Sequence, residues 1–324
     1  MIAPEGARPR WPGHTGSHTQ ARSFNPQPGG LMSDEAKRDP LRFLVVVAHP
    51  HDFTHCAGTC GIHVLMGDSV TVVTMTDGGR KHNEAYLDEM SKPEAKRDPA
   101  IANQTQEDYA AAKNREITEV CAVFGVKDLR ILTFPEPLRL QHSPEAVDTL
   151  ADIIADVRPH VLITHAPYNM SPAGITTHGL PTATLNDHRE CAIMAMEACA
   201  MANMPDYEAK KQPHRIAAIY YLGVDVMPDQ VDFYVDISDW KDHRQRAEAL
   251  FKSQGQTEAF ARKRIDIGAG SMGWAARTQY AEAFVRSQVE TLPCIEVPQW
   301  SLQLASGSRI EHLKHIAGES TAQG

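Results

Sequence analysis

Apolar residues fall along this chain in short unbroken runs that alternate with stretches of helical periodicity. Residues 43–48 (FLVVVA), 69–75 (SVTVVTM), 129–133 (LRILT) and 160–164 (HVLIT) have the length of strands. They lack the in-and-out alternation of a half-exposed strand, as expected where a parallel sheet is covered on both faces. Helical patterns over 54–66, 104–124 and 145–157 separate them, the second stopped by Gly125 and the third by Pro159. This repetition predicts βαβ units with right-handed crossovers, and so an α/β fold: a Rossmann-like, doubly wound, mainly parallel sheet in a single domain. A fourth helix over 187–204 follows a Gly/Pro/Thr-rich stretch at 166–186, a length that compact domains usually reserve for lids or binding loops. Further strands are expected at 216–222 and 231–237, then an amphipathic helix over 239–253 with Ser238 as its N-cap. The remainder reads as helical and irregular. With no repeat and no linker, residues 41–310 are expected to form the domain. The Pro/Gly/Ser/Thr/Arg-rich residues 1–40 are read as a disordered tail and 311–324 as a C-terminal tail.

Composition narrows the function classes. Apolar residues make up 42% and charged residues 23%, as in ordinary globular proteins. A net charge of -9 disfavours a general nucleic-acid binder, which needs clustered Lys and Arg, and argues against docking on a lipid surface. No run approaches the roughly 18 apolar residues of a membrane span, and the first forty residues hold no signal-peptide core. The cysteines at 56, 60, 121, 191, 199 and 294 form no CxxC pair. They read as thiols of a reducing, cytoplasmic protein, with Cys56 and Cys60 one helical turn apart in the core. Gly268, Gly270 and Gly273 satisfy GxGxxG literally but do not open the first βα unit, so no dinucleotide site is expected. GxSxG, HExxH and P-loop patterns are absent.

A parallel sheet places its ligand site at the carboxyl ends of the strands, and the residues that follow the first strand are His49, Pro50, His51 and Asp52. Two imidazoles and a carboxylate gathered there must be paired, bound to metal or exposed. A second cluster, Asn186, Asp187 and His188, opens the helix after the long loop. Asp187 can be a first-turn acid or part of a site. The positive helix terminus keeps the His188 ring neutral and available to a metal.

These residues resemble the PIG-L/LmbE-like de-N-acetylases, whose signature is AHPDDE after the first strand and an HxDH-like motif opening a later helix. Here they stand as Ala48 to Phe53 (AHPHDF) and Leu185 to His188 (LNDH), with further likeness at Thr76–Gly79, Arg115 and Glu116, Ser253 and Gln254, and Tyr280 to Phe284. The resemblance implies hydrolysis of an N-acyl group, foremost acetyl, on an amino sugar or related small molecule, with neither nucleic acid nor membrane as partner; homo-oligomers are compatible with it. It also implies metal ligands at His49, Asp52 and His188, a set suited to Zn²⁺ and also to Fe²⁺ or another divalent ion. Such an ion polarises the acetyl carbonyl and lowers the pKa of its water.

Two positions depart from the pattern. The family's general base, an Asp, is replaced by His51, which can act as base or proton shuttle, bind the metal as an extra ligand, or be structural. Leu185 stands where the family carries a His that stabilises the oxyanion or protonates the leaving amine. His165 and His178 are the nearest replacements, and His178 is the one expected to reach the reacting oxygen, with Asp187 orienting a nearby imidazole. Arg80, Lys81 and His82, after the Thr76–Gly79 turn, either contact an anionic or hydroxyl-rich part of the substrate or form a solvated basic patch. The rival to an enzyme is a catalytically impaired metal- or sugar-binding protein on the same scaffold.

Overall fold

The computed structural model describes residues 38–135, 143–168, 187–208 and 210–319. The strands are β1 (Arg42–Val47), β2 (Ser69–Thr74), β3 (Asp128–Ile131), β4 (Val161–Thr164), β5 (Ala218–Leu222), β6 (Phe233–Asp236) and β7 (Ala281–Arg286). They form one sheet in the order β3-β2-β1-β4-β5-β7-β6. The first five in that order run parallel, and β7 pairs antiparallel with both β5 and β6. The helices are α1 (Ala57–Leu65), α2 (Glu84–Met90), α3 (Pro99–Ala102), α4 (Gln106–Val123), α5 (Pro144–Val157), α6 (Asp187–Ala202), α7 (Lys241–Leu250), α8 (Glu258–Ala276), α9 (Gln299–Ser306) and α10 (Arg309–Ala317).

Successive residues of β1 point to opposite layers, and both layers are apolar. Phe43, Val45 and Val47 pack with Cys60 of α1, Ile117 and Val120 of α4, and Ala247 of α7. Leu44 and Val46 pack with Leu150 and Ile154 of α5 and with Met194 and Ala198 of α6. Burial on both faces is why β1 reads as an uninterrupted apolar run. The chain leaves β1 for β2 on one side and, after β3, returns to β4 on the other. The sheet's switch point therefore lies between the carboxyl ends of β1 and β4, the place where ligands bind in such folds.

Several expected boundaries shift for local reasons. The helix expected over 54–66 is a 3-10 turn at Pro50–His55 followed by α1, because Pro50 opens a tight turn directly behind the strand. The helix expected from 104 begins at Gln106, after Thr105 and Asp108 form a reciprocal cap. Ser238 does not cap the helix expected over 239–253. Its backbone N–H donates to Asp236 at 2.9 Å, and α7 starts after Trp240 with no side-chain cap. The strand β7 was not expected. Glu282 interrupts its apolar run, yet it is buried because it accepts from the backbone N–H groups of Gly58 and Thr59 at 3.0 and 2.8 Å and pairs with Arg244 at 3.2 Å. The boundary expected at 310 falls inside α10, whose first turn Ser308 caps by accepting from the Glu311 N–H.

Gly268, Gly270 and Gly273 all lie in α8 and build no nucleotide-binding turn. A Cβ on Gly273 would come within 2.3 Å of the Gln279 carbonyl oxygen, whereas one on Gly268 would meet nothing within 4 Å. Gly273→Ala is therefore expected to destabilise the protein by about 1–3 kcal/mol through overpacking. Gly268→Ala is expected to stabilise it by about 0.5–1 kcal/mol through helix propensity, and denaturant melts of the two variants check the opposite signs. At the opposite edge of the sheet from the site, Asp68 accepts from the Leu41 N–H at 2.7 Å, from the Arg38 guanidinium at 2.8 and 2.6 Å, and faces His63 Nδ1 at 2.8 Å. Burial alone would raise its pKa, but these partners outweigh burial and hold it at about 2. A carboxylate held below its unfolded value contributes stability that is present above about pH 4 and lost as the pH falls toward 2. Asp68→Asn is expected to cost about 1 kcal/mol at neutral pH, a figure reduced because Arg38 is partly exposed, with no further loss across that acid window.

Candidate metal centre and catalytic site

The carboxyl end of β1 runs straight into the turn that carries His49, His51, Asp52 and His55. All of these but His55 are buried. The His49 backbone N–H donates to Asp52 Oδ2 at 2.8 Å and its ring Nδ1 faces the same oxygen at 3.1 Å, so the tight turn folds the carboxylate back beneath the ring. The other ring nitrogen, Nε2, faces Asp187 Oδ2 at 3.0 Å from the first residue of α6. The next residue, His188, turns Nε2 toward Asp52 Oδ2 at 3.5 Å and Nδ1 toward Asp225 Oδ1 at 3.1 Å. His49, Asp52 and His188 each offer one ligand atom within 4.8 Å of the others, so the three residues implied as ligands are brought together.

Carboxylates on the far side of each ring are the strongest feature of the geometry. A histidine that ligates a metal through one nitrogen commonly donates its other N–H to a carboxylate, which fixes the tautomer and the ring plane. Asp187 occupies that position for His49 and Asp225 for His188. Asp225 also faces His165 Nδ1 at 2.7 Å with its second oxygen, and the His165 ring stacks on His188 with centroids 3.9 Å apart. The Ala48 N–H donates to His165 Nε2 at 3.2 Å, so His165 has one nitrogen on a carboxylate and the other on the backbone. It supports the site from beneath and has no N–H to spare for a substrate.

Proton affinities follow from this crowding. The helix terminus was expected to keep His188 neutral, and burial also disfavours its charged form, but Asp52 and Asp225 outweigh burial and hold its pKa well above the usual histidine value. His49 is raised in the same sense, against burial, by Asp52 and Asp187. Burial would raise Asp52 and Asp225, yet the surrounding imidazoles hold both far below the ordinary carboxylate range. Imidazole protons offset these buried carboxylates, and those are the protons a divalent ion held by the same atoms would displace.

His51 points elsewhere. Its Nε2 faces Glu248 Oε2 of α7 at 2.9 Å, its ring meets Phe251 edge-on at 5.0 Å, and the Glu248 side chain is 1% exposed. Burial would raise the Glu248 pKa; His51 first, then Arg264 and Arg244, bring it far below the usual range. His55 beside it is pushed down to about 3 by burial, then by Arg264 and His51. Lys81 Nζ lies 2.8 Å from Asp187 Oδ2, with its side chain 30% exposed. Buried Lys113 donates to the Gly78 and Lys81 carbonyls at 2.9 Å each and so shapes the loop that presents Lys81. His82 next to it is lowered to about 4, chiefly by burial.

The other residues singled out in the sequence separate into structural and peripheral ones. Glu116 accepts from the Ser253 backbone and hydroxyl at 2.7 and 2.6 Å, Arg115 is exposed, and Thr76 donates to the Ala48 carbonyl at 3.0 Å. His178 and Leu185 lie outside the described residues. Asp225 and Glu248 were missed. Asp225 follows the apolar run of β5 at the carboxyl edge, where the sheet rule already looks for site residues. Glu248 shares a helical face with Ala247 and Phe251, and a charge within an apolar stripe is itself a signal.

Residues 44–199 match the family model described as PIG-L: GlcNAc-PI de-N-acetylase. A 1D-myo-inositol 2-acetamido-2-deoxy-alpha-D-glucopyranoside deacetylase of Catenulispora acidiphila is 28% identical over 212 residues, 59% of this chain and 62% of that protein. The chain spans 39%, 62% and 56% of the length of three curated relatives of this kind. The N,N'-diacetylchitobiose deacetylase of Pyrococcus horikoshii shares the fold with a TM-score of 0.57 at 21% identity, over 76% of this chain and 84% of that one. GalB, a 4-carboxy-2-hydroxymuconate hydratase from Pseudomonas putida, does so with a TM-score of 0.60 at 17% identity, over 79% of this chain and all of that one. The matched residues 44–199 span His49, Asp52, Asp187 and His188, the residues that converge at the switch point, and this part of the chain is similar to the PIG-L/LmbE-like de-N-acetylases.

Proposed function

We propose that this protein is a metal-dependent hydrolase that removes an N-acyl group, foremost acetyl, from an amino sugar or a related small molecule. The observation that carries the reading is the convergence of His49, Asp52 and His188, each histidine backed by its own carboxylate. Relatives named as deacetylases of an acetamido-glucopyranosyl inositol and of diacetylchitobiose support the substrate class. The donor set fits a divalent ion of the zinc class: two imidazole nitrogens and one carboxylate oxygen, in surroundings with carboxylate charge to spare. Asp187 Oδ1 is buried with no hydrogen-bond partner among the described residues. Fe²⁺ suits the same set. An ion held there supplies Lewis acidity toward the amide carbonyl and lowers the pKa of water.

The remaining chemistry belongs to the side chains. His51 takes the proton of the attacking water through Nδ1, since Nε2 is committed to Glu248, and returns it to the amine nitrogen as the C–N bond breaks. The donor that Leu185 cannot be is supplied by Lys81, whose ammonium stands one carboxylate away from His49 and retains protons beyond the one given to Asp187. Asp187 holds both, so it fixes the distance between a ligand and an oxyanion donor. The single domain of residues 41–310 is extended by α10. Its free cysteines, four of them buried, suit a reducing cytoplasm, and among the described residues no helix is long and apolar enough to cross a membrane.

Zinc-loaded protein is expected to release acetate from N-acetylated amino sugars, and chelation is expected to abolish release. A panel of such sugars that yields no acetate from protein with bound metal would leave the non-catalytic rival standing. His188→Ala is expected to weaken metal binding about 10-fold to 100-fold, and Asp225→Asn to act in the same direction by freeing the ring. His51→Ala is expected to keep the metal and lower kcat by about 10²-fold to 10⁴-fold. Lys81→Met is expected to lower kcat by about 10²-fold with a small change in KM. A raised KM with kcat unchanged would assign Lys81 to ground-state binding instead.

A further inference from the structure

A second set of ligand atoms converges beside the first. His51, Asp52 and His55 each place one within 4.8 Å of the others, the same spacing that unites His49, Asp52 and His188. All three come from the 3-10 turn at Pro50–His55. That helix eclipses side chains three apart, which sets Asp52 over His55, and the His51 and His55 rings meet edge to face at 6.0 Å.

The preparation of the His51 ring matches that of the first set. His51 turns Nε2 to the buried Glu248 carboxylate at 2.9 Å, as His49 does to Asp187 and His188 to Asp225, and this leaves the Nδ1 lone pair free. His55 makes no hydrogen bond to a described residue, and burial, with Arg264 next, pushes its pKa down to about 3. Asp52 turns Oδ2 to His49, His165 and His188, while Oδ1 makes no hydrogen bond among the described residues. The nearby Arg264, 3.6 Å from Glu248, is balanced by that carboxylate, so Asp52 is the group that answers a second positive ion.

We propose that His51, Asp52 and His55 form a second divalent-cation site of the zinc class, with Asp52 bridging it to the first. Two imidazoles and a shared carboxylate suit Zn²⁺, Co²⁺ or Ni²⁺ better than Mg²⁺ or Ca²⁺. The consequence for activity rests on the reading of His51 as the base. An ion on His51 removes the lone pair that accepts the proton, so the second site is inhibitory and filling it switches turnover off.

The test uses the full chain stripped of metal and titrated with Zn²⁺, with bound metal counted by equilibrium dialysis and acetate release followed in parallel. The wild type is expected to bind one equivalent tightly, then a second more weakly, and to lose activity as the second binds. His55→Ala and the better space-filling His55→Gln are expected to keep the first equivalent and its activity. Both are expected to weaken the second by at least about tenfold and to resist inhibition, with circular dichroism melts confirming that they fold. Saturation of the wild type at one equivalent, or an unchanged second affinity in folded His55 variants, overturns the proposal. A second equivalent that depends on His55 but leaves turnover intact upholds the site and overturns the role of His51 as base.

Discussion

Four carboxylates, those of Asp52, Asp187, Asp225 and Glu248, are buried around the carboxyl ends of β1 and β4, and none of them can be left unpaired. The chain answers with imidazoles rather than with a full complement of lysines and arginines. His49, His165 and His188 meet Asp52, Asp187 and Asp225, and His51 meets Glu248. An imidazole neutralises a carboxylate only while it holds the proton, and it gives that proton up to a metal near neutral pH. The pairing that stabilises these buried carboxylates therefore also makes them receptive to a cation.

The fold makes this crowding possible because it delivers the groups from four separate segments to one edge. The turn after β1 brings His49, His51 and Asp52; the end of β4 brings His165; the start of α6 brings Asp187 and His188; the turn after β5 brings Asp225. Parallel strands β1, β4 and β5 are neighbours in the sheet, so their carboxyl ends are adjacent whatever the sequence between them. The apolar layers on both faces then leave that edge as the place where polar groups can collect.

Where the family pattern has an Asp, this chain has an imidazole held by Glu248, and the exchange alters more than a pKa. A carboxylate base needs no partner to set its tautomer, whereas an imidazole does. Glu248, kept ionised by His51, Arg264 and Arg244, provides one from a helix 197 residues further along the chain. The exchange also sets a further imidazole, His51, beside His55 on the turn that carries Asp52, which is the basis of the second cation site. Lys81 in turn sits on Asp187, so a donor, a ligand and their common carboxylate are mechanically one unit.

What the residues along the chain determined by themselves is the part governed by short range. Unbroken apolar runs of strand length announced β1, β2 and β4 as buried parallel strands, and the cluster at 49–52 announced a site because a parallel sheet has only one edge where it can lie. Gly268 and Gly273 looked alike in sequence, yet only Gly273 abuts the Gln279 carbonyl, and no local pattern carries that contact. Glu282 broke an apolar run and hid β7, because its charge is compensated by groups some 220 residues earlier. Asp225 and Glu248 escaped for the same reason: a single acid after a strand or within a helix acquires meaning only through the ring it faces. Spacing along the chain shows which side chains reach the same edge, but the pairing of buried charges across segments is decided by tertiary contacts, because electrostatic energy depends on distance in space and not on distance in sequence.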